Sequence, residues 1–393
     1  MMYDFKTHID RSGTGSIKTD IAPESVKDSG LVPLSVADME LPVAPEIIEA
    51  VKQAADKGIF GYTYADKVYT EAVRSWMKDR HGFDTEGFKL ITTNGVVPAL
   101  RFAVEAFCQK GEGVVIQPPV YMMFKNAIET AERRVVENPL IFDNGRYVMD
   151  YADLDKKTRP DDVKLLLLCS PHNPVGRVWT RDELLKLGEI CIKNGVTVVA
   201  DEIHNDLLLN GAEHTVFATL PGMDDISITC TATSKTFNLA GLSCSNIFIK
   251  NEQIAERFKK AADRAGAGLV PYFARAATIA AYTRCDGWVD ELNAHISSNF
   301  ELMYSFIEKE LPMLDVIRAE GTYLAWLDMR ALKFGDEALE ELVLAHGLAL
   351  DEGYLFGIGG SGFERWNLAL PSDILIKALE QLKTAVTKAL SSK

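Results

Sequence analysis

At residues 231–238 the chain reads TATSKTFN, which places Lys235 in a turn of small and hydroxyl-bearing residues. The turn directly follows Ile226 to Cys230, an apolar run of the kind that forms a buried strand. Burial at the end of such a strand removes water from the amine, which lowers its pKa and lets it condense with a carbonyl compound. Most lysines are solvated, so this interpretation depends on the residues that surround Lys235.

A second apolar run, Val196 to Ala200, ends in Asp201. A carboxylate at that place can keep a pyridine nitrogen protonated, so that a bound ring withdraws electrons from a carbanion. A lysine that forms a Schiff base, together with such an aspartate, is the pattern of a pyridoxal phosphate site. Asp201 could equally cap a helix, and the two roles are compatible.

Three more apolar runs, at 89–92, 114–117 and 163–169, are each followed by residues that could bind a ligand. Because such runs alternate with longer amphipathic segments, the sequence predicts an α/β fold with a mostly parallel central sheet and helices on both faces. One of these helices is expected to begin after Thr180, with Glu183 completing its cap. Ligands bind outside the carboxyl ends of strands in such sheets, so five strand ends predict one shared crevice.

The residues at these ends also have ordinary structural interpretations. Asn173, in the stretch SPHNPVG at 170–176, can reach a phenolic oxygen, although Asn-Pro commonly just begins a turn. The turn Asn94-Gly95-Val96 can hold a phosphate at a helix N-terminus or simply start a helix. Tyr121 can stack on a flat ring or pack in the core. Arg365 can clamp a carboxylate through two parallel hydrogen bonds, although a lone arginine is usually a surface residue.

Composition narrows the class of protein. The 393 residues are 47% hydrophobic, enough for two or three domains with a large core. A net charge of −14 and a pI near 5.1 argue against nucleic acid or a membrane surface as partner. The six cysteines lack zinc-ligand spacing, and Met1 to Gly13 has no signal-peptide core, so we expect a cytoplasmic protein without a metal.

The pattern changes near Trp288 to a long amphipathic helix, strand-like segments within 316–329, a helix at 336–346 and a closing helix from Ser372. This second part is therefore expected to be α+β. The sequence predicts an N-terminal segment (1–45) that packs with the small domain, a large cofactor-binding domain (46–286) and a small C-terminal domain (287–393).

Taken together, the motifs resemble those of the cystathionine β-lyase-like carbon–sulfur lyases of the MalY/PatB group, within the class I/II aminotransferase superfamily of fold type I pyridoxal phosphate enzymes. The resemblance covers nearly the whole chain. It is carried by VADMELPVAP (36–45), FGYT (60–63), GVVIQPPVY (113–121), SPHNPVGRVW (170–179), DEIH (201–204), SKTFNLAGL (234–242), TYLAWLD (322–328) and the segment around Arg365.

The resemblance implies a role for each motif residue. Lys235 would hold pyridoxal phosphate covalently and Asp201 would pair with its ring nitrogen, with Tyr121 stacked on the ring. The remaining cofactor contacts would come from Asn173 and His204 near the ring oxygen and from Gly95, Val96, Thr233 and Ser234 at the phosphate. The family works as a homodimer with shared active sites, so Tyr62, or less plausibly Tyr64, would reach the neighbouring subunit's phosphate. Arg365 would bind the α-carboxylate of an amino-acid substrate, with Met39 and the two tyrosines on the substrate side.

The resemblance also implies an activity, namely α,β-elimination of L-cystathionine and related cysteine S-conjugates to a thiol, pyruvate and ammonia. The sequence departs from the family in three places: Ser243 replaces the phosphate-binding arginine of aminotransferases, Glu40-Leu41 replaces Asp-Phe, and Trp366 replaces a leucine. The first departure favours the lyase branch, and the other two leave the substrate open. The alternatives are an aminotransferase, a non-catalytic ligand-binding or regulatory protein that keeps the same fold, and a nucleotide binder that uses the GIGGSG stretch at 357–362.

Overall fold

A computed structural model describes residues 2–20 and 31–391. Its strands are β1 (Val32–Pro33), β2 (Lys89–Thr93), β3 (Gly113–Ile116), β4 (Arg134–Glu137), β5 (Ile141–Asp143), β6 (Arg146–Val148), β7 (Val163–Cys169), β8 (Thr197–Asp201), β9 (Ser227–Thr231), β10 (Ser245–Ile249), β11 (Asp315–Val316), β12 (Leu324–Asp328), β13 (Leu348–Ala349), β14 (Asp351–Glu352) and β15 (Phe363–Asn367). Its α-helices are α1 (Ile17–Asp20), α2 (Pro45–Ala55), α3 (Lys67–His81), α4 (Val96–Phe107), α5 (Met123–Glu129), α6 (Tyr151–Thr158), α7 (Arg181–Asn194), α8 (Thr233–Thr236), α9 (Glu252–Arg264), α10 (Tyr272–Arg284), α11 (Asp286–Glu310), α12 (Asp336–Ala345) and α13 (Ser372–Ser391).

A seven-stranded sheet in the order β2-β10-β9-β8-β7-β3-β4 forms the centre of the molecule. Strands β9, β8, β7, β3 and β4 pair in parallel, and β10 runs antiparallel to its neighbours β9 and β2. All five strands predicted from the sequence lie in this sheet, within one residue of the expected bounds. The prediction of a mostly parallel α/β fold is confirmed, whereas β4 and β10 were not anticipated.

The central strands are buried on both faces because their apolar residues alternate between two cores. In β7, Leu165 and Leu167 join the core under α4, α5 and α9, while Leu166 and Leu168 join the opposite core under α6 and α7. A strand with helices on both sides has no polar face, which is why it reads as a continuous run of leucines. Helix α7 begins as predicted, with Thr180 and Glu183 forming a reciprocal cap.

A four-stranded antiparallel sheet, β11-β12-β15-β14, forms the second layered unit, together with α11, α12 and α13. The N-terminal segment joins it through β1, which pairs in parallel with β13. A single residue, Cys285, separates the end of helix α10 from the start of α11. From these contacts we propose the three-part division 1–45, 46–286 and 287–393, with Trp288 of α11 packed on Phe237 across the boundary between the second and third parts.

The glycine-rich stretch 357–362 is a packing feature. It leads into β15 and not into a helix, so the helix N-terminus that would hold a dinucleotide phosphate is missing at this place. A Cβ on Gly360 would lie 2.0 Å from the carbonyl oxygen of Gly353, and a Cβ on Gly353 would lie 2.1 Å from that of Gly360. Two backbone segments therefore touch here with no room for a side chain, which removes the reason to assign the stretch to a nucleotide.

No helix within the described ranges 2–20 and 31–391 is long and apolar enough to cross a membrane.

We predict that Gly353→Ala lowers the free energy of unfolding by about 2 kcal/mol, because the added methyl group must push two backbone segments apart. Urea denaturation measures the change. Gly287→Ala is the matched control, since a Cβ there meets nothing within 4 Å. Equal stabilities of the two variants would show that the close approach at Gly353 is not a constraint.

Candidate active site

A cavity of about 240 Å³ opens at the carboxyl ends of the central strands. Its walls bring together most of the residues that the sequence singles out. Those in the walls are Gly95, Val96, Tyr121, Asn173, Asp201, His204, Ser234 and Lys235. Five separate strand ends thus converge on one crevice, as the sequence predicts.

Lys235 lies on α8, a single helical turn that follows β9. Its Nζ donates a hydrogen bond to the carbonyl oxygen of Ala37, 2.5 Å away. Burial, reinforced by the positive charge of Arg365, lowers the pKa of the Lys235 amine to about 8. The neutral, nucleophilic form of the amine is therefore far more abundant near physiological pH than it is in a solvated lysine.

Asp201 is the last residue of β8 and is 6% exposed. Its Oδ1 accepts a hydrogen bond from the backbone N–H of Ile203, at 3.2 Å. Burial raises the pKa of the carboxyl group to about 7, and the Ile203 bond and the Lys235 charge only partly offset this effect. The site therefore lacks a strong positive partner for Asp201, and a cationic ring nitrogen beside it would return the carboxyl to its ionised form.

Arg365 reaches the site from β15 of the smaller sheet and is 2% exposed. Its Nη1 donates to Oδ1 of Asn173 at 3.0 Å, and its Nη2 forms an ion pair with Asp351. Its buried Nε has no hydrogen-bond partner in the described part of the chain. The guanidinium thus stands beside Asn173 with donor capacity to spare for a substrate carboxylate.

His204 is a neutral, buried imidazole. Burial, followed by the charges of Lys235 and Arg365, holds the pKa of His204 well below its usual range. Its Nδ1 is buried without a hydrogen-bond partner among the described residues, so it is free to meet a polar atom of a ligand in the cavity.

A helix N-terminus closes one end of the cavity. Helix α4 starts after Gly95, which has a φ of 118° and supplies no side-chain cap, so the N–H groups of its first turn remain available to an anion. Val96, Ser234 and Ser243 line the same region. Thr233, which the resemblance also assigns to the phosphate, is buried beside Ser234 but is not part of the cavity wall.

Tyr62, Tyr64 and Met39 are not brought to the cavity by the single chain. The two tyrosines are 95% and 67% exposed and border a separate surface hollow with Tyr272 and Arg275. Met39 is buried, and its backbone N–H donates to Oδ1 of Asn238 at 3.0 Å.

Residues 36–41, of which the sequence analysis assigned only Met39 to the substrate side, contribute Ala37 to the cavity wall, and we call them the strap. Asn238 donates to the carbonyl oxygens of Met39 and Leu41, and Asn367 donates to those of Val36 and Asp38. Arg11 and the buried Lys18 also form ion pairs with the strap carboxylates Asp38 and Glu40. The strap is therefore held by Asn238 next to α8, by Asn367 of the small sheet and by two basic side chains that precede it in the chain.

Asn238 and Asn367 lie in the motif segments around Lys235 and Arg365, but no sequence pattern indicated that they bind the strap. Asp351, the counter-ion of Arg365, was missed because nothing in the pair Asp351-Glu352 distinguishes it from a solvated turn. Within the described residues, no group of histidines, cysteines and carboxylates could hold a metal ion.

We predict that Lys235 in cofactor-free protein gains reactivity toward acetic anhydride with a midpoint near pH 8, because the neutral amine is the nucleophile. Pulse labelling across a pH series, followed by mass spectrometry of the peptide, gives the midpoint. The exposed Lys57 in the same digest corrects for decay of the reagent. A midpoint at about pH 10, the range of a solvated lysine, would contradict the desolvated environment.

One protein family and several known proteins are similar to this chain over most of its length. The model of the family "Aminotransferase class I and II" matches residues 29–382. The chain is 41% identical to the cystathionine beta-lyase PatB of Bacillus subtilis, over 98% of this chain and all of that protein.

Two solved structures are similar over almost the full length. Cystalysin from Treponema denticola, which contains a pyridoxal 5'-phosphate cofactor, has a TM-score of 0.94 and 42% identity, over 99% of this chain and 100% of that one. The PLP-bound C-S lyase from Staphylococcus hominis, complexed with L-cycloserine, has a TM-score of 0.91 and 32% identity, over 98% of each chain. The residues at the strand ends and the buried lysine agree with these similarities, and the chain belongs to the aminotransferase class I and II family.

Proposed function

We propose that this chain is a pyridoxal phosphate-dependent carbon–sulfur β-lyase, which cleaves L-cystathionine and related cysteine S-conjugates to a thiol, pyruvate and ammonia. The observation that carries the proposal is the placement of Lys235 and Asp201 in one cavity, with the pKa of the amine lowered to about 8 and that of the carboxyl raised to about 7. The identity of 41% with a cystathionine beta-lyase over the full chain supports the choice of reaction.

The residues present fit pyridoxal phosphate. Asp201 lacks a strong positive partner and suits a protonated ring nitrogen, while the open Nδ1 of His204 suits a polar atom of the ring. The first turn of α4 and Ser234 suit the phosphate. Lys235 suits the aldehyde, because its amine, with a pKa of about 8, is partly neutral near physiological pH.

When bound, pyridoxal phosphate supplies an electron sink that stabilises negative charge on the α-carbon of the substrate. Arg365 binds the α-carboxylate, and Asn173 orients the guanidinium through the bond to Nη1. Lys235 removes the α-proton with its Nζ, for which a pKa near the working pH is well matched. The carbon–sulfur bond at the β-carbon then breaks, the thiol leaves, and the remaining three-carbon fragment is hydrolysed to pyruvate and ammonia.

We also propose that the chain acts as a homodimer in the cytoplasm. Four apolar side chains in this part of the chain are exposed, namely Ile59, Phe60, Tyr62 and Leu269. The ring of Phe60 packs on Tyr272, which borders the same hollow as Tyr62 and Tyr64. Exposed apolar side chains of this kind suit an interface, and a second copy seated there would receive Tyr62 at its own cavity. Six buried cysteines without a disulfide suit a reducing compartment.

We predict that purified holoenzyme releases thiol, pyruvate and ammonia in equal amounts from L-cystathionine without any added keto acid. Coupled assays of the three products measure the stoichiometry. Turnover that requires a keto acid acceptor would indicate an aminotransferase instead, a reaction that the same cavity residues could support.

Lys235→Ala is the control for this assay, and it should lose turnover by at least about a thousandfold because it removes both the covalent anchor and the base. A wild-type rate in that variant would remove Lys235 from the mechanism.

We predict that a hybrid dimer of Lys235→Ala and Tyr62→Ala subunits, purified through two different affinity tags, recovers about half of the wild-type activity. Each parent dimer should be nearly inactive, whereas the hybrid holds one site with an intact lysine from one subunit and an intact Tyr62 from the other. If the hybrid is as inactive as its parents, Tyr62 does not act across the interface.

A further inference from the structure

Asp206 is a buried carboxylate close to the lysine turn but outside the cavity. It is 3% exposed and lies five residues after Asp201, beyond the end of β8. Its Oδ2 accepts a hydrogen bond from the hydroxyl of Thr236, at 2.7 Å. Thr236 is fully buried and directly follows Lys235 in the chain, so this bond holds the backbone next to the catalytic amine.

Helix α3 anchors the other oxygen of the same carboxylate. Oδ1 of Asp206 accepts from Nε1 of Trp76 at 3.0 Å and from Nε2 of His81 at 2.7 Å, and Nε of Arg80 lies 3.7 Å away. Burial by itself raises the pKa of Asp206, but the hydrogen bond and charge of His81 and the Thr236 hydroxyl hold it below its usual range. The group is therefore an ionised carboxylate in a fixed position.

The lysine turn needs such an anchor. Helix α8 is only four residues long, and a single helical turn has little stability of its own. Within the turn, the N–H of Phe237 donates to the carbonyl oxygen of Thr233, at 3.0 Å. That bond closes the turn but does not fix its orientation relative to the sheet. The bond from Thr236 to Asp206 contributes to this orientation, together with the packing of Phe237 on Trp76, because it ties the end of the turn to α3.

We propose that Asp206 is a positioning residue for Lys235, acting through the hydroxyl of Thr236. Asp206 touches neither substrate nor cofactor; it sets the place from which the lysine side chain reaches them. A displacement of about 1 Å in a reacting group can cost on the order of a hundredfold in rate. Loss of the hydrogen bond that fixes the backbone next to Lys235 is therefore expected to slow the reaction. The inference rests on the proposed function, because it assigns the role relative to the reaction of Lys235.

The test uses three variants of the full-length protein. Thr236→Val removes the hydroxyl at nearly constant volume and leaves Asp206 with its partners on α3. Thr236→Ser restores a hydroxyl at the same position. Thr158→Val is the matched control, since Thr158 is also fully buried and its hydroxyl donates to the carbonyl oxygen of Leu154, at 2.8 Å, on a helix remote from the cavity.

Three measurements separate positioning from general stability. They are kcat and KM for L-cystathionine in the holoenzyme, the rate at which pyridoxal phosphate attaches to Lys235 in cofactor-free protein (stopped with borohydride and counted by mass spectrometry), and the melting temperature. For Thr236→Val we expect kcat and the attachment rate to fall about tenfold while KM stays within about twofold, because a misplaced amine slows its own chemistry and not substrate binding. Thr236→Ser should recover most of both rates.

Each result either supports or contradicts a positioning role for Asp206. If Thr236→Val and Thr158→Val lower the melting temperature alike, and only Thr236→Val slows the two rates, the positioning role stands. If Thr236→Val leaves both rates unchanged, or if Thr158→Val slows them equally, the bond to Asp206 is only structural. If the wild-type protein attaches pyridoxal phosphate but releases no pyruvate from sulfur amino acids, the proposed lyase function fails, and the attachment rates still decide the role of Asp206.

Discussion

Desolvation of two ionisable groups at one edge of the central sheet is the constraint on which the rest of this molecule depends. Lys235 and Asp201 stand at the ends of the neighbouring strands β9 and β8, which are packed on both faces. Removing a charged amine or carboxylate from water costs several kcal/mol unless it is paired. The pKa of Lys235 falls and that of Asp201 rises for this reason, and the burial that disfavours their charged forms makes the amine a nucleophile near neutral pH.

Around this pair, both ends of the chain complete the site. The strap places the carbonyl oxygen of Ala37 against the lysine amine, and the small sheet brings Arg365 to Asn173. Asp351 links these two contributions, because it accepts from the backbone N–H of Val36 and pairs with Arg365. The distance between a substrate's carboxylate and the lysine is therefore set by how the small sheet and the strap pack against the seven-stranded sheet and its helices.

Much of this arrangement could be predicted from particular residues. Strand β7 is a run of leucines because both of its faces are buried, and such a run is visible in the sequence. Strand β10 was not anticipated because its first two residues, Ser245 and Asn246, are polar, yet both are buried through bonds to Thr93 and Tyr69. A buried polar residue is satisfied by partners from other elements, so no local pattern reveals it.

By itself, the sequence determined the fold class, the strand ends that carry chemistry and the identity of the lysine, aspartate, asparagine and arginine, because alternating hydrophobicity and short motifs are local properties of the chain. Only the tertiary structure decided which distant groups orient them: Asp351 on Arg365, Asn238 and Asn367 on the strap, and Asp206 on the lysine turn. It also decided that Tyr62 is exposed and borders a separate hollow, outside its own cavity. These contacts join residues far apart in the chain, and their geometry is set by how sheets and helices pack, which no local stretch of sequence encodes.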